Sequence, residues 1–278
     1  MFLILCHAND VSATWVYRQL IKRGFPSIHL LTAEALAYAL RWEHQLETDN
    51  ISVKIDLAQG LTIETSNVQG VLNRLCFVPT GHLATARSKD RDYAAQELFS
   101  FFLSWLHSLP CPVLNEPTPH GLVGRERRLP EWLWLAAQAG LKAPRYMNAV
   151  DQAFRADGAM SGWWARRADG SEGPFQPLTA SLLKSSAIEL VEPVPGSLCR
   201  VLVIGNHIIG SGLSDDLHEG CRRLATASQT AILGIEFVKA SDGELTFWKA
   251  TPFPDLRGGE PVIEALIETF RLGQGAKA

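Results

Sequence analysis

The stretch ELVEPVPGSLCRVLVIGNHIIG, residues 189–210, decides the fold. Its aliphatic and β-branched residues run up to Gly205-Asn206 and resume after it, which reads as two strands joined by a tight turn. ELVEPVPG, just before them, is a further apolar run closed by prolines. Working forward, Asp215 to Thr226 has helical spacing, with two carboxylates at its start where they favour the helix dipole. GIEFVKASDGELTFWKA, 234–250, alternates on both sides of Asp242-Gly243, the strongest short hairpin signal in the chain. Pro261 to Leu272 closes the chain with another helical pattern.

Working backward, the amino-terminal half repeats a strand–helix–strand order. Phe2 to Cys6 is a short apolar strand. Asn9, Asp10 and Ser12 form a capped turn, and the periodic run from Trp15 stops at Gly24. PSIHLL follows as a strand, and Thr32 to Trp42 is expected as a second helix. That order favours a parallel sheet. Ser52 to Ile63 alternates as a hairpin, and VLNRL at 71–75 is a buried strand with two polar residues at its end. Asp90 to Leu109 is a long amphipathic helix whose buried stripe is expected to hold Tyr93, Leu98, Phe101, Phe102 and Trp105. PCPVLNEP is a short strand, and Arg127 to Ala139 a helix stopped by Gly140. Ala156 to Pro177, rich in Gly, Arg, Asp and Trp, is expected to be a loop-rich insertion or subdomain. The fold class is α/β, with subdomains at 1–115, 116–188 and 189–278.

Composition narrows the function classes. The chain has 278 residues, 46% hydrophobic, enough for a proper core. Lys+Arg 26 against Asp+Glu 29 gives a net charge of -3, which disfavours nucleic acid as a partner. Five scattered cysteines without CxxC spacing imply reduced thiols and argue against a cysteine zinc site. No apolar run reaches the ~18 residues of a membrane span, and no basic signal-peptide start is present. A cytoplasmic location without membrane contact is the expectation.

Short motifs exclude more than they assign. There is no GxxxxGK[ST], the first strand–turn–helix lacks GxGxxG, and Gly210-Ser211-Gly212 is not a nucleophile elbow. His7, His29, His82 and His207 stand apart, and each reads as a hydrogen-bonded structural or surface group.

The order of segments resembles the ATP-grasp superfamily, and most of all the ATP-grasp ligases that modify ribosomal peptides. The resemblance rests on VLNRL, RDYAAQELFSFFLSWLHSLPCPVLNEP (91–117) and WLAAQAGLKAP (134–144) in the first half. In the second it rests on 189–210, GIEFV and FWKATPFPDL (247–256). It implies a parallel-sheet amino-terminal subdomain, a reduced middle one and an α+β carboxy-terminal one, with ATP and Mg²⁺ between the last two.

Carried over residue by residue, the resemblance gives Glu192 the place beside the adenine edge. Arg200 takes the place facing phosphate, and Glu236 that of the first acidic metal ligand. Further cationic contacts to the nucleotide fall to Arg166, Arg167 and Lys184, with the first two read alternatively as a solvated pair. Residues 169–173 (DGSEG) would be the remnant of the lid. The family's E-x-N-x-x-P metal motif is matched here by KATPFP, so Lys249 stands where a glutamate ligand belongs and Thr251 where the asparagine belongs. Magnesium takes oxygen ligands in near-octahedral geometry, so the usual site is degenerate at these positions.

Two functions follow. One is an ATP-dependent carboxylate–amine ligase in which Arg200 and Lys249 carry catalytic charge. The other is an inactive scaffold, a pseudoenzyme that binds a peptide, a small molecule or a partner protein. The resemblance implies a peptide or small-molecule carboxylate or amine as substrate and allows a homodimer. Arg200, Glu236 and Lys249 are expected to line one cleft.

Overall fold

Five consecutive buried residues, Phe2–Cys6 (β1), place the first strand at the centre of a sheet, since both of its faces must be covered. The computed structural model describes residues 1–48, 51–149, 162–168, 173–183 and 187–276. After β1 come α1 (Val11–Lys22), β2 (Ile28–Thr32), α2 (Ala33–Ala37), β3 (Arg41–Leu46), β4 (Ile51–Asp56), β5 (Thr62–Glu64) and β6 (Gly70–Asn73). Then follow α3 (Ser88–Ser108), β7 (Val113–Leu114), α4 (Leu129–Gln138), β8 (Tyr146–Ala149), β9 (Trp164–Arg167), β10 (Gln176–Pro177) and α5 (Ala180–Leu183). The last elements are β11 (Ile188–Val191), β12 (Ser197–Ile204), β13 (His207–Ile209), α6 (Asp215–Ser228), β14 (Ile232–Lys239), β15 (Leu245–Thr251) and α7 (Glu260–Ala276).

The first sheet has the order β2-β1-β6-β7 and every pairing in it is parallel, as the strand–helix–strand order requires. Asp10 caps α1 by accepting from the Ala13 amide at 3.0 Å. Beyond α2 the sequence expectation fails. The helix ends at Ala37, and Arg41–Leu46 is a strand pairing antiparallel with β4, so the expected hairpin is the far part of a three-stranded sheet, β3-β4-β5. The cause is packing. From β3, Trp42 meets Phe101, Phe102 and Trp105 of α3 edge-on, with ring centroids 5.3, 5.5 and 5.6 Å away, and its indole N–H donates to Leu36 O. Phe102 and Trp105 are buried, whereas Tyr93 lies on the exposed side of α3.

The middle region is more regular than expected. Its strands form an antiparallel sheet, β10-β9-β11-β8, in which β9 and β10 come from the stretch read as loop-rich and β8 and β11 from outside it. Local composition hid this sheet because half of its pairing lies distant in sequence.

The carboxy-terminal sheet, β13-β12-β14-β15, is antiparallel throughout, with Phe237 opposite Phe247. Gly243, at φ +90°, makes the turn between β14 and β15 without a side-chain penalty. One face, with Val201, Val203, Ile235, Phe237 and Phe247, packs in one core with Trp132 of α4 and Leu224 of α6. The helix α7 crosses back to the first sheet, and Val262, Ile263, Leu266 and Phe270 share a core with Phe2, Ile4 and Leu20. No helix among the described residues is long and apolar enough to cross a membrane.

Candidate functional site

With one face of the carboxy-terminal sheet in the core, strand alternation turns Arg200, Glu236 and Thr251 toward the other. Arg200 on β12 is in register with Glu236 on β14, and Glu236 is in register with Lys249 on β15. The three therefore form a row across three strands. Arg200 Nε donates to Glu236 Oε1 at 3.2 Å, and the Lys249 ammonium lies 3.2 Å from Oε2. Glu236 is the sheltered member at 18% side-chain exposure, against 77% for Arg200 and 55% for Lys249. Two cations thus hold one carboxylate, one on each oxygen. The ladder of register pairs brings the three expected residues together.

Beside the row lies a cavity of about 610 Å³ whose walls include Arg200, Leu202, Ser211, Glu236, Thr251 and Phe253; Lys249, expected to line the same cleft, pairs with Glu236 but does not line it. Gly234 belongs to the same wall. A Cβ there would come within 2.7 Å of Pro254 Cβ, so the glycine lets the 252–254 segment close over the sheet.

That segment is tied to the amino-terminal half by Arg74. From the polar end of the VLNRL strand, Arg74 Nε reaches Asp10 Oδ2 at 2.7 Å, both side chains being 4% exposed. Its Nη1 donates to Pro254 O at 3.0 Å, and its guanidinium lies 4.0 Å from the centroid of the Phe253 ring. Ser12 Oγ donates to Asp255 at 2.8 Å. Asn115 donates to Ile232 O and Pro252 O and accepts from the Ile232 amide. Of the two buried polar residues of VLNRL, Arg74 makes this tie, to partners too distant in sequence to be named from it, while Asn73 donates to Asn115 O and Leu122 O.

The other expected residues lie apart from the row. Glu192, just after β11, is held by both nitrogens of an Arg145 fork at 3.1 Å, and that hydrogen bonding draws its carboxyl below the ordinary range. It does not line the cavity. Arg166 and Arg167 do not act as a pair, because neighbours on a strand point to opposite faces. Nor is Arg166 solvated: it is ion-paired with Glu189 directly across β11, at 17% and 12% exposure, and lies 4.6 Å from the centroid of the Phe175 ring. Arg167 is exposed. Lys184, and residues 169–172 of the expected lid, lie outside the described residues.

Over almost its full length the chain superimposes on solved ligases. The macrocyclase MdnC bound with precursor peptide MdnA, from Microcystis aeruginosa MRC, gives a TM-score of 0.77 at 15% identity, covering 98% of this chain and 99% of that one. The fold is that of the ATP-grasp ligases. The ATP-grasp ligase PsnB complexed with minimal precursor, Mg and ADP gives 0.73 at 19% identity, covering 97% and 98%. D-alanyl-alanine synthetase A from Vibrio cholerae, a more distant ATP-grasp relative by shape, gives 0.57 at 12% identity, covering 99% and 98%. No protein-family profile and no curated protein matches the sequence. Fold is thus shared with peptide-modifying ATP-grasp ligases.

In this structure both oxygens of the row's single carboxylate are engaged by cations, and Lys249 and Thr251 stand where the resemblance calls for a glutamate and an asparagine. Among the described residues no group of three or more His, Cys, Asp or Glu side chains could hold a metal ion.

Proposed function

We propose that this protein is an ATP-grasp-fold scaffold of the carboxylate–amine, peptide-modifying ligase type that binds a peptide and has replaced its nucleotide-bound magnesium with an internal ion-pair row. The observation that carries this reading is the double engagement of Glu236 by Arg200 and Lys249. A carboxylate so held is already charge-compensated, which weakens its attraction for a metal, and Arg200 brings positive charge to the cavity wall itself. The likeness to MdnC and PsnB, both solved with their precursors, supports a peptide as the occupant. The fold alone does not select a chemistry.

The test compares thermal melts of the protein in ATP with magnesium and in ATP with EDTA, together with ADP release. The expected result is no difference between the two melts and no magnesium-dependent ADP. A melt several degrees higher with magnesium, accompanied by ADP release, sinks the reading in favour of an active ligase.

A further inference from the structure

A second cavity, of about 580 Å³, shares the wall Phe253–Pro254–Asp255 with the first but opens toward the amino-terminal half. His7, just past the end of β1, Glu34 of α2 and Phe77, four residues after β6, are on its wall. The chain from Cys76 to Thr80 belongs to no helix or strand. Among the described residues two of its amides find an acceptor, that of Cys76 at 3.0 Å and that of Phe77 at 3.4 Å, and both find it on one atom, His7 Nε2. The Phe77 ring lies against the imidazole, centroids 3.9 Å apart and planes inclined by 13°. One side chain thus supplies the hydrogen bonds that fasten this segment to the end of β1.

Two amide donors on Nε2 need its lone pair, so the neutral ring carries its proton on Nδ1. That nitrogen lies 3.9 Å from Glu34 Oε1, too far for a hydrogen bond, and neither Nδ1 nor Glu34 Oε2 has a hydrogen-bond partner among the described residues. The two side chains are 13% and 40% exposed, so water reaches the carboxylate more readily than the ring. The other ionisable groups around the ring are already settled. Asp10 holds Arg74 and Asp255 holds Arg257, each pair at 2.7 Å. Burial pushes the Cys6 and Cys76 thiols up to about 12 and about 11, so both stay neutral.

A second proton, taken from solvent, reverses the contacts of the ring. It goes to Nε2, because Nδ1 already carries one. Nε2–H then confronts two N–H donors, and both amide hydrogen bonds are lost. On the opposite side the imidazolium gains an ion pair that the neutral ring lacks, since Glu34 Oε1 is within ion-pair range of Nδ1. Each protonation state of His7 therefore favours a different partner, the 76–77 backbone or the Glu34 carboxylate. We infer that His7 is a proton-sensitive latch: neutral, it fastens Cys76 and Phe77 to the end of the first sheet; protonated, it pairs with Glu34 and releases them, loosening the Phe77 side of the cavity. The inference goes beyond the function proposed above and involves neither the ion-pair row nor a nucleotide.

The experiment titrates the whole protein, free of nucleotide and metal, from about pH 7.5 to about pH 4.5. It follows the His7 ring ¹⁵N signals, the amide shifts, and amide exchange relative to an unstructured chain at the same pH. At the upper end the ring carries its proton on Nδ1. As it takes up the second proton, the Cys76 and Phe77 amides shift with the same midpoint and lose about tenfold or more of their protection. The Arg74 amide, bound to Leu5 O at 2.8 Å, keeps its protection, which marks the change as local. In His7→Gln both amides stay unchanged across the range. In Glu34→Gln the shared midpoint falls by about 0.5 pH or more, because the imidazolium has lost its partner. A proton on Nε2 at the upper end, a ring that stays neutral throughout, a ring that titrates without moving the two amides, or the same amide titration in His7→Gln overturns the latch. So does loss of protection at Arg74 alongside them, which is unfolding. An unchanged midpoint in Glu34→Gln overturns the part given to Glu34. Because ATP and magnesium are absent, none of these outcomes bears on the proposed function.

Discussion

Glu236 and Lys249 stand directly opposite each other on β14 and β15, carboxylate Oε2 and ammonium 3.2 Å apart, where the resemblance places two magnesium ligands. Opposite charges facing across an antiparallel pair stabilise it modestly, and like charges in the same place do the reverse. Arg200, on the other neighbouring strand, completes the neutralisation of Glu236.

Reversing the charge at Lys249 is the first prediction. Lys249→Glu sets two carboxylates opposite each other and removes a half-exposed pair. A loss of about 1 kcal/mol is expected, or about 2–4 °C in Tm for a chain of this size. Millimolar magnesium then restores part of the loss in the variant and has no effect on the wild type. Melts of both proteins with magnesium and with EDTA check this, and a magnesium response in the wild type would count against the ion-pair row.

Arg74 carries a larger share of the stability. Arg74→Met leaves Asp10 buried without a cation, an expected cost of about 3–5 kcal/mol by urea unfolding. Asp10→Asn keeps an acceptor for the Ala13 amide at the cap but strands the guanidinium, with a loss in the same range. The double variant costs clearly less than the sum, because it removes both charges together. Strict additivity would show that the pair is not coupled.

Legibility in the sequence followed the range of the interactions. The hairpin at Asp242-Gly243, the capped α1 and the buried β6 are specified by neighbours a few residues away, and all three are where periodicity and turn chemistry put them. Arg200, Glu236 and Lys249 meet because three strands could be aligned as a unit. The expected helix over Thr32–Trp42 stops at Ala37, and Arg41 and Trp42 instead open β3, because Trp42 is drawn into an aromatic cluster by α3, sixty residues on, a force that local propensity does not contain. The Glu34–His7 cavity left no motif at all. Its residues come from separate segments, and what marks it is an unmet hydrogen-bonding capacity that exists only once the chain is folded.

The adjacent arginines of β9 separate by the same reasoning. Arg166→Met strands the sheltered Glu189 carboxylate and removes a guanidinium stacked near Phe175, so a loss of about 2–4 kcal/mol is expected. Arg167→Met changes an exposed side chain on the opposite face and is expected to stay within about 0.5 kcal/mol. Equal losses in unfolding titrations would contradict the alternation of β9.

The pH dependence of stability turns on His7. Burial is the largest influence on it and lowers its folded pKa, with Glu34 and Asp10 pulling the other way. In the unfolded chain the imidazole binds a proton near pH 6.5, while the folded protein resists that proton. Below about 6.5 the unfolded state therefore holds more protons than the folded one, and stability falls with falling pH. The contribution of His7 is complete above pH 6.5 and is lost as the pH drops through its depressed folded value. Protonation also costs the two amide hydrogen bonds that Nε2 accepts from Cys76 and Phe77. His7→Gln offers Oε1 to those amides without a titrating proton. Its unfolding free energy is expected to decline less than that of the wild type between pH 7.5 and about 5, and parallel curves from urea titrations at those two pH values would rule out His7 as a source of the acid sensitivity.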